Sequence, residues 1–202
     1  MKSIISLLSS VSLFIQPLLV GGLLLNPLSA GATSADASVD DFSVAEVQPS
    51  GLPRMIITDQ EAGGGSQAEQ SIADGILTVK GFLKPGRGMP GFVSLPLILT
   101  ADGSPRDLSQ YKGVRLLVKV HSGNLSVQVS STEITNFDYH TSAPIGRHSE
   151  GIKEVKIPFS SLKQMWSAPT KLNLASVTSI NLVAAGGAPA EFSYVVDEIG
   201  FY

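Results

Sequence analysis

The sequence predicts an all-β protein: an antiparallel β-sandwich or jelly roll with one or two short helical turns. Apolar and polar residues alternate with a period of two from residue 54 to the C-terminus, as in strands that have one buried face. Helical periodicity is scarce, and Gly, Pro, Asn and Ser separate the alternating segments at near-regular intervals. With 202 residues, 43% of them apolar, the chain is long enough for one domain with a substantial core.

Ten segments alternate in this way. The clearest is 114–121, in which every second residue from Val114 to Val120 is apolar. After Gly123 the alternation resumes in 124–131, and the two segments therefore predict a β-hairpin. The predicted strands are 54–58, 67–71, 75–83, 91–100, 114–121, 124–131, 137–141, 152–158, 177–185 and 192–202.

Helical signals are confined to two places. A turn or two of helix is predicted to begin at Ser160, whose hydroxyl is a candidate N-cap. Leu162, Met165 and Trp166 follow at spacings that place them over one edge of the sandwich. Trp166 could contribute a platform for a sugar, but this spacing favours a place in the core. A single capped turn is predicted at 108–111.

Residues 1–32 have the features of a signal peptide. Lys2 is the first charge and Asp36 the next; the apolar stretch between them ends in small residues, and 30–32 (AGA) fits a cleavage site. Mitochondrial transit peptides are Arg-rich, and this segment contains no Arg. The expected location is therefore outside the cytoplasm, secreted or periplasmic. The alternative is a membrane anchor formed by the same apolar segment if it is not cleaved.

Two further regions follow the predicted signal peptide. Residues 33–53 are small, acidic and interrupted by Pro and Gly, which is typical of a flexible linker. Residues 54–202 carry the strand pattern and are predicted to form the sandwich domain.

Composition excludes several classes of function. Only 15% of the residues are charged and the net charge is −3, whereas nucleic-acid binding requires clustered Lys and Arg. The chain has no cysteine, so disulfides, a thiolate nucleophile and Cys-ligated zinc are all excluded.

Four short motifs occur in a fixed order along the predicted domain. They are Asp59 with Gly63-Gly64-Gly65-Ser66, then Asp107-Leu108-Ser109-Gln110-Tyr111-Lys112-Gly113, then Ile157-Pro158-Phe159-Ser160, and finally Val196-Asp197-Glu198-Ile199-Gly200-Phe201-Tyr202. In this order and spacing, residues 59–202 resemble the complex I intermediate-associated protein 30 family, whose domain is a galactose-binding-like β-sandwich. The chain departs from the family pattern at Met55 and Ile56, where the family has a Trp.

The resemblance implies a non-catalytic binding module. It favours a protein-complex assembly or interaction factor with a protein partner. The alternative, suggested by the kinship of the fold and by the predicted export, is a carbohydrate-binding module for extracellular or cell-wall polysaccharide. Nucleic acid is not an expected partner, and a membrane is expected only through an uncleaved N-terminal segment.

The candidate ligand-binding residues are aromatic or hydrogen-bonding groups predicted to lie on exposed strands and loops. Such side chains bind sugars on the faces of β-sandwiches. They are concentrated around 133–150, where the alternation gives way to Asn, Asp, His and Arg. The set is Tyr139, His140, Arg147, His148 and Arg115.

The sequence gives little indication of a metal or a cofactor. The sequence predicts no cofactor, although a structural calcium ion is allowed where the first and last strands of such sandwiches meet; the candidate ligands are Asp59, Glu61 and Asp197. Asp138 and His140 with His148 do not supply the fixed ligand set of a transition-metal site. The glycine run at 63–65 is interpreted as a tight turn because it lacks the residues of a phosphate-binding loop.

No catalytic arrangement is recognisable, so the prediction is that the protein is not an enzyme. Glycoside hydrolysis needs two facing carboxylates, and nothing in the sequence pairs Glu133, Asp138, Glu150 or Glu154. The G-x-S-x-G turn of serine hydrolases is absent.

Overall fold

The computed structural model describes residues 37–148 and 150–202, which belong to one compact unit. Short 3-10 turns occur at Asp59–Ala62, Phe159–Ser161 and Leu174–Ser176. The strands, in chain order, are β1 (Ser38–Asp40), β2 (Ile57–Thr58), β3 (Gln67–Ala73), β4 (Ile76–Leu83), β5 (Gly91–Ile98), β6 (Gly113–Ser122), β7 (Asn124–Ser131), β8 (His140–Thr141), β9 (Ile145–Gly146), β10 (Lys153–Pro158), β11 (Val177–Gly186) and β12 (Ala190–Phe201).

These strands form two antiparallel sheets. In the first sheet the order is β10-β6-β12-β4-β3, with β1 beside β12. In the second sheet the order is β2-β5-β11-β7-β8, with β9 beside β7. The predicted all-β sandwich is confirmed, and each of the ten predicted strands corresponds to a strand of the structure.

Alternation explains the core. Leu182 of β11 lies opposite Leu95 of β5 and Val127 of β7, and all three side chains are buried. The first sheet contributes an equivalent face, which includes Leu116 and Val196. Burying each large aliphatic side chain stabilises a fold by about 1.5–3 kcal/mol, so this shared apolar layer dominates the stability of the domain.

The predicted hairpin of β6 and β7 is wrong. β6 pairs with β10 and β12 in the first sheet, whereas β7 pairs with β11, β8 and β9 in the second. Gly123, with a φ of 69°, carries the chain from one sheet to the other. Alternation identifies the face that each strand buries, but both arrangements bury the same residues, so it does not identify the partner strand.

The prediction of a flexible linker at 33–53 is also wrong for the described residues 37–53. Ser38 pairs with Gly200, and Asp40 pairs with Ile199, so β1 extends the first sheet beside the C-terminal end of β12. Val39 and Phe42 are buried in the core. Small and polar residues surround these anchors, which is why the composition suggested a linker. The predicted signal peptide at 1–32 lies outside the described residues.

A buried ion pair secures this N-terminal segment. Arg54 donates from Nε to Asp40 Oδ2 at 2.8 Å and from Nη2 to Asp40 Oδ1 at 2.7 Å. Its Nη1 donates to the carbonyl of Val44 at 2.7 Å, and the guanidinium lies 5.4 Å from the ring centre of Phe42. The segment between Asp40 and Arg54 is thereby closed into a loop at the edge of the sandwich.

The glycine run proves to be a structural turn, as predicted. Gly63 ends the 3-10 turn with a φ of 81°, a conformation that favours glycine. A Cβ at Gly64 would overlap the carboxyl group of Asp59. The buried Asp59 accepts hydrogen bonds from Ser66 N at 2.9 Å, Ser66 Oγ at 2.6 Å and Phe92 N at 3.1 Å. The Asp and Gly-Ser motif therefore ties the start of β3 to β5.

We expect Asp40→Asn to lower the free energy of unfolding by about 3 kcal/mol, because removing one charge of a buried pair leaves the other without compensation. Urea unfolding followed by circular dichroism measures this. The control is Glu46→Gln, since Glu46 is exposed in the same loop. Equal stabilities for the two variants would contradict the prediction.

Candidate ligand-binding cleft

The carboxylate of Asp138 joins two loops at one end of the second sheet. It accepts hydrogen bonds from the backbone amides of Met165 at 2.7 Å, Trp166 at 3.0 Å and Ser167 at 2.5 Å. The carbonyl of Asp138 also accepts from Gln164 Nε2 at 3.1 Å. We call this set of contacts the Asp138 clamp. It holds the 163–167 segment against the 132–139 loop.

The same segment extends the sheet beyond β8. Thr141 and Lys163 exchange backbone hydrogen bonds of 2.9 and 3.0 Å, so the chain at Lys163 is extended. The helix predicted from Ser160 is therefore wrong: a single 3-10 turn, Phe159–Ser161, stands there, and its N-cap is Pro158 instead of Ser160. The Asp138 clamp and this pairing give the backbone amides better partners than a short helix would have offered.

The clamp also sets the ionisation of Asp138. Burial raises the pKa of this carboxyl, but the donors at Met165, Ser167 and Trp166 outweigh burial, and the pKa lies below its ordinary value. A lowered pKa means that the stabilisation is complete above the pKa of about 3.9 of an unfolded Asp and is lost as pH falls through the folded value. The clamp is therefore intact at neutral pH.

Large apolar side chains surround the clamp and face solvent. Trp166 is 67% exposed, Met165 74% and Phe137 73%. Tyr139 meets Phe137 edge to face, with ring centres 6.3 Å apart. Phe137 adopts a φ of 63°, which is uncommon for an aromatic residue. The expectation that Trp166 belongs to the core is wrong, because the clamp turns the chain outward after the buried Leu162.

A cavity of about 540 Å³ lies between the two loops. Most of its lining side chains carry amide, hydroxyl or charged groups, so a ligand there meets both donors and acceptors. The lining residues are Ser131, Glu133, Ile134, Thr135, Asn136, His140, Gln164, Ser167, Ala168, Thr170, Lys171 and Asn173.

Two charged or titratable residues of the cavity are held in place. Glu133 accepts from Ser176 Oγ at 2.7 and 2.8 Å and from the side-chain amide of Asn173. The Ser176 hydroxyl, with further hydrogen bonds, lowers the pKa of Glu133 to about 2. His140 Nε2 lies 2.8 Å from the carbonyl of Thr170, so Nε2 donates and carries the proton. His140 Nδ1 has no hydrogen-bond partner among the described residues.

The outer face of the second sheet beside the loops is polar but uncharged. One row across the sheet consists of Pro96, Asn181, Gln128 and Thr141, each directly opposite the next. Asn181 is buried in this row, and its Nδ2 donates to Ser130 Oγ at 2.8 Å. Small hydroxyl and amide groups therefore cover this face.

Only part of the predicted ligand set meets at the cleft. His140 lines the cavity, and Tyr139 precedes it in the chain and contacts the ring of Phe137. Arg147 and His148 follow β9, which pairs with Asn124 and Leu125 at the opposite end of β7.

Arg115 belongs to the other sheet. It forms ion pairs with Glu154 at 2.6 Å and with Glu198 at 3.0 Å. This pairing is sufficient to account for the position of Arg115 in β6.

The predicted calcium ligands do not come together. Among the described residues, no group of three or more His, Asp or Glu side chains is placed to hold a metal ion. The carboxylate of Asp59 is occupied by Ser66 and Phe92, while Glu61 is exposed and Asp197 lies in β12.

Several cleft residues were missed from the sequence. Gln164, Asn173 and Lys171 lie on a segment without alternation, and only the fold brings them opposite Asn136. Pro169 was the available signal, because a Pro three residues after Trp166 argues against a continuing helix.

Comparison with known proteins places the chain in a family. The family model described as Complex I intermediate-associated protein 30 matches residues 45–196, most of the chain. The chain belongs to the complex I intermediate-associated protein 30 family. No curated protein sequence matches this family member.

Solved structures show the same fold. A family 11 carbohydrate-binding module from Clostridium thermocellum, in complex with a β-1,3-1,4-mixed-linked tetrasaccharide, has a TM-score of 0.62 and 18% identity; the match covers 82% of this chain and 94% of the module. The family 11 module of the cellulosomal cellulase Lic26A-Cel5E from the same organism has a TM-score of 0.61 and 18% identity, covering 81% and 92%. The complex I intermediate-associated protein 30 domain is thus similar in fold to these modules.

Within the described part of the chain, no helix has the length and apolar character needed to cross a membrane.

We expect Asp138→Asn to loosen the 163–167 segment, because an amide group cannot accept three hydrogen bonds as a carboxylate does. Trp166 is the only tryptophan, so its fluorescence anisotropy reports this directly and should fall. Asp102→Asn is the control, since Asp102 caps an exposed turn through Ser104. Unchanged anisotropy in Asp138→Asn would show that the clamp does not order the segment.

Proposed function

We propose that this protein is an exported, non-catalytic module that binds an uncharged polysaccharide at the cleft between the 132–139 and 163–173 loops. The observation that carries the proposal is an exposed Trp166 whose backbone is held by the Asp138 clamp, while its neighbours Gln164 and Ser167 line a cavity of amide and hydroxyl groups. Sugar rings stack on aromatic faces, and their hydroxyl groups need both donors and acceptors.

The chemistry of the cavity suits a neutral ligand. Gln164, Asn136 and Asn173 carry side-chain amides, and Ser131 and Thr170 carry hydroxyl groups. The two charged lining residues, Glu133 and Lys171, are of opposite sign. A strongly anionic or cationic polymer would therefore find no complementary field at this site.

The backbone that carries Trp166 is already ordered in the unbound domain, which favours a binding role for this exposed side chain. Three amide hydrogen bonds fix the backbone at Trp166, so little conformational entropy is lost when a sugar stacks on the ring. The similar family 11 module is described in complex with a β-1,3-1,4-mixed-linked tetrasaccharide, which makes mixed-linkage β-glucan the first probe.

We expect Trp166→Ala to weaken binding of soluble β-1,3-1,4-glucan by about tenfold, which corresponds to about 1.4 kcal/mol of lost stacking. Isothermal titration calorimetry measures the affinity. Met89→Ala is the control, because Met89 is exposed on the 84–90 loop, away from the cleft residues. Equal affinity of Trp166→Ala and the wild type would contradict the assignment of the cleft.

A second candidate function is protein-complex assembly through the same loops. Phe137 and Met165 are more exposed than Trp166, and aromatic residues and Met are enriched at protein interfaces. Membership of the family supports this reading as well. A stoichiometric protein partner that is lost on Phe137→Asp, in a protein without measurable glucan binding, would favour assembly over the polysaccharide.

Export rests on the N-terminal sequence, which lies outside the described residues. We expect a secreted or periplasmic chain that begins at Thr33, after cleavage at the small residues 30–32. N-terminal sequencing of the protein recovered outside the cytoplasm tests this. Recovery of the full-length chain in the membrane fraction would instead support an uncleaved anchor.

A further inference from the structure

A second surface depression lies on the outer face of the first sheet, where β3, β4 and β12 run side by side. Its volume is about 610 Å³. In the first row of this surface, Phe82 of β4 lies opposite Gln67 of β3 and opposite Glu191 of β12. Directly opposite residues of an antiparallel pair point to the same face, so these three side chains are neighbours.

A second row runs parallel to the first. Lys80 lies opposite Glu69 on one side and opposite Ser193 on the other, and Ser193 lies opposite Ser122 of β6. Lys80 Nζ and Glu69 Oε1 form an ion pair of 2.8 Å. Phe82 therefore has a polar neighbour on each adjacent strand, Gln67 and Glu191, and a third, Lys80, on its own strand.

Phe82 does not belong to the core. Its side chain is 44% exposed, whereas the neighbouring Leu83 points inward and is buried. Exposed aromatic area on a strand offers a flat apolar surface, and the surrounding amide, carboxylate, ammonium and hydroxyl groups offer hydrogen bonds. An apolar surface with hydrogen-bonding groups around it suits a sugar ring, which has an apolar face and hydroxyl groups at its edges.

We infer that this depression is a second carbohydrate-binding site, with Phe82 as the stacking platform and Gln67 and Glu191 as hydrogen-bonding partners. The inference deepens the proposed function and rests on it for the class of ligand. The site is separate from the cleft, because it lies on the first sheet while the cleft lies at loops of the second.

The make-up of the surface favours a sugar polymer over a protein partner. Charged residues are depleted at the centres of protein interfaces, yet Glu69, Lys80 and Glu191 surround the exposed ring of Phe82 here. Two carboxylates against one ammonium also make an anionic polymer a poor fit. The depression extends to β3, the edge strand of the sheet, so an internal segment of a chain can lie across it.

Two sites on one domain have a measurable consequence. A module with sites on both sheets can hold two polysaccharide chains, or two segments of one chain, at once. Bivalent attachment raises retention on an insoluble polymer well beyond the affinity of either site alone.

The test compares four proteins: the wild type, Phe82→Ala, Trp166→Ala and the double variant. Calorimetry with a β-1,3-1,4-linked tetrasaccharide is expected to give two bound molecules per wild-type chain, one for each single variant and none for the double variant. Retention on insoluble β-glucan should fall at least tenfold in each single variant.

Two further variants serve as controls. Phe82→Tyr keeps an aromatic platform and should keep both sites. Ile76→Ala, on the same face of β4 beyond the depression, is the matched control for folding.

The outcomes separate the two claims. One bound molecule in the wild type that disappears in Trp166→Ala and persists in Phe82→Ala overturns the second site and leaves the cleft standing. One bound molecule that disappears only in Phe82→Ala supports the second site and overturns the cleft. Absence of any tetrasaccharide binding or β-glucan retention by the wild type overturns both.

Discussion

The shared apolar layer between the two sheets is the constraint on which the structure depends. Each long strand of this domain turns alternate side chains, such as Leu95, Leu182 and Val127, into that layer. The opposite face is then released from packing in strands such as β3 and β4, whereas the central β11 is buried on both faces. It is on those released faces, and on the loops at their ends, that a sequence with few charges can place a binding surface without weakening the core.

At the edges of the sandwich, buried carboxylates hold loops and turns in place through hydrogen bonds. Asp40 holds Arg54, Asp59 holds Ser66, and Asp138 holds the 165–167 amides. A buried charge is costly unless it is paired or hydrogen-bonded, and each of these carboxylates has at least two donors. With 15% charged residues in the chain, the few that are buried join segments that are distant in sequence.

The strands were predictable because alternation is a local property, and the sandwich followed from their number and spacing. The sheet to which each strand belongs was not predictable, as β6 and β7 show, because both choices bury the same residues. The role of residues 38–53 was hidden for a related reason: Asp40 and Arg54 become anchors only when the fold brings them together. At the cleft, Tyr139 and His140 were found from residue type, whereas Gln164 and Trp166 depend on a clamp formed across 26 to 29 positions.

That clamp accounts for how an exposed tryptophan persists in this fold. A free loop containing Met165 and Trp166 would bury both side chains against the nearest apolar surface, because exposing them costs hydrophobic free energy. The amide bonds to Asp138 and the pairing of Lys163 with Thr141 oppose that collapse. A ring held outward in this way is removed from water only when a ligand covers it. The hydrophobic free energy of burying the ring then contributes to binding instead of to folding.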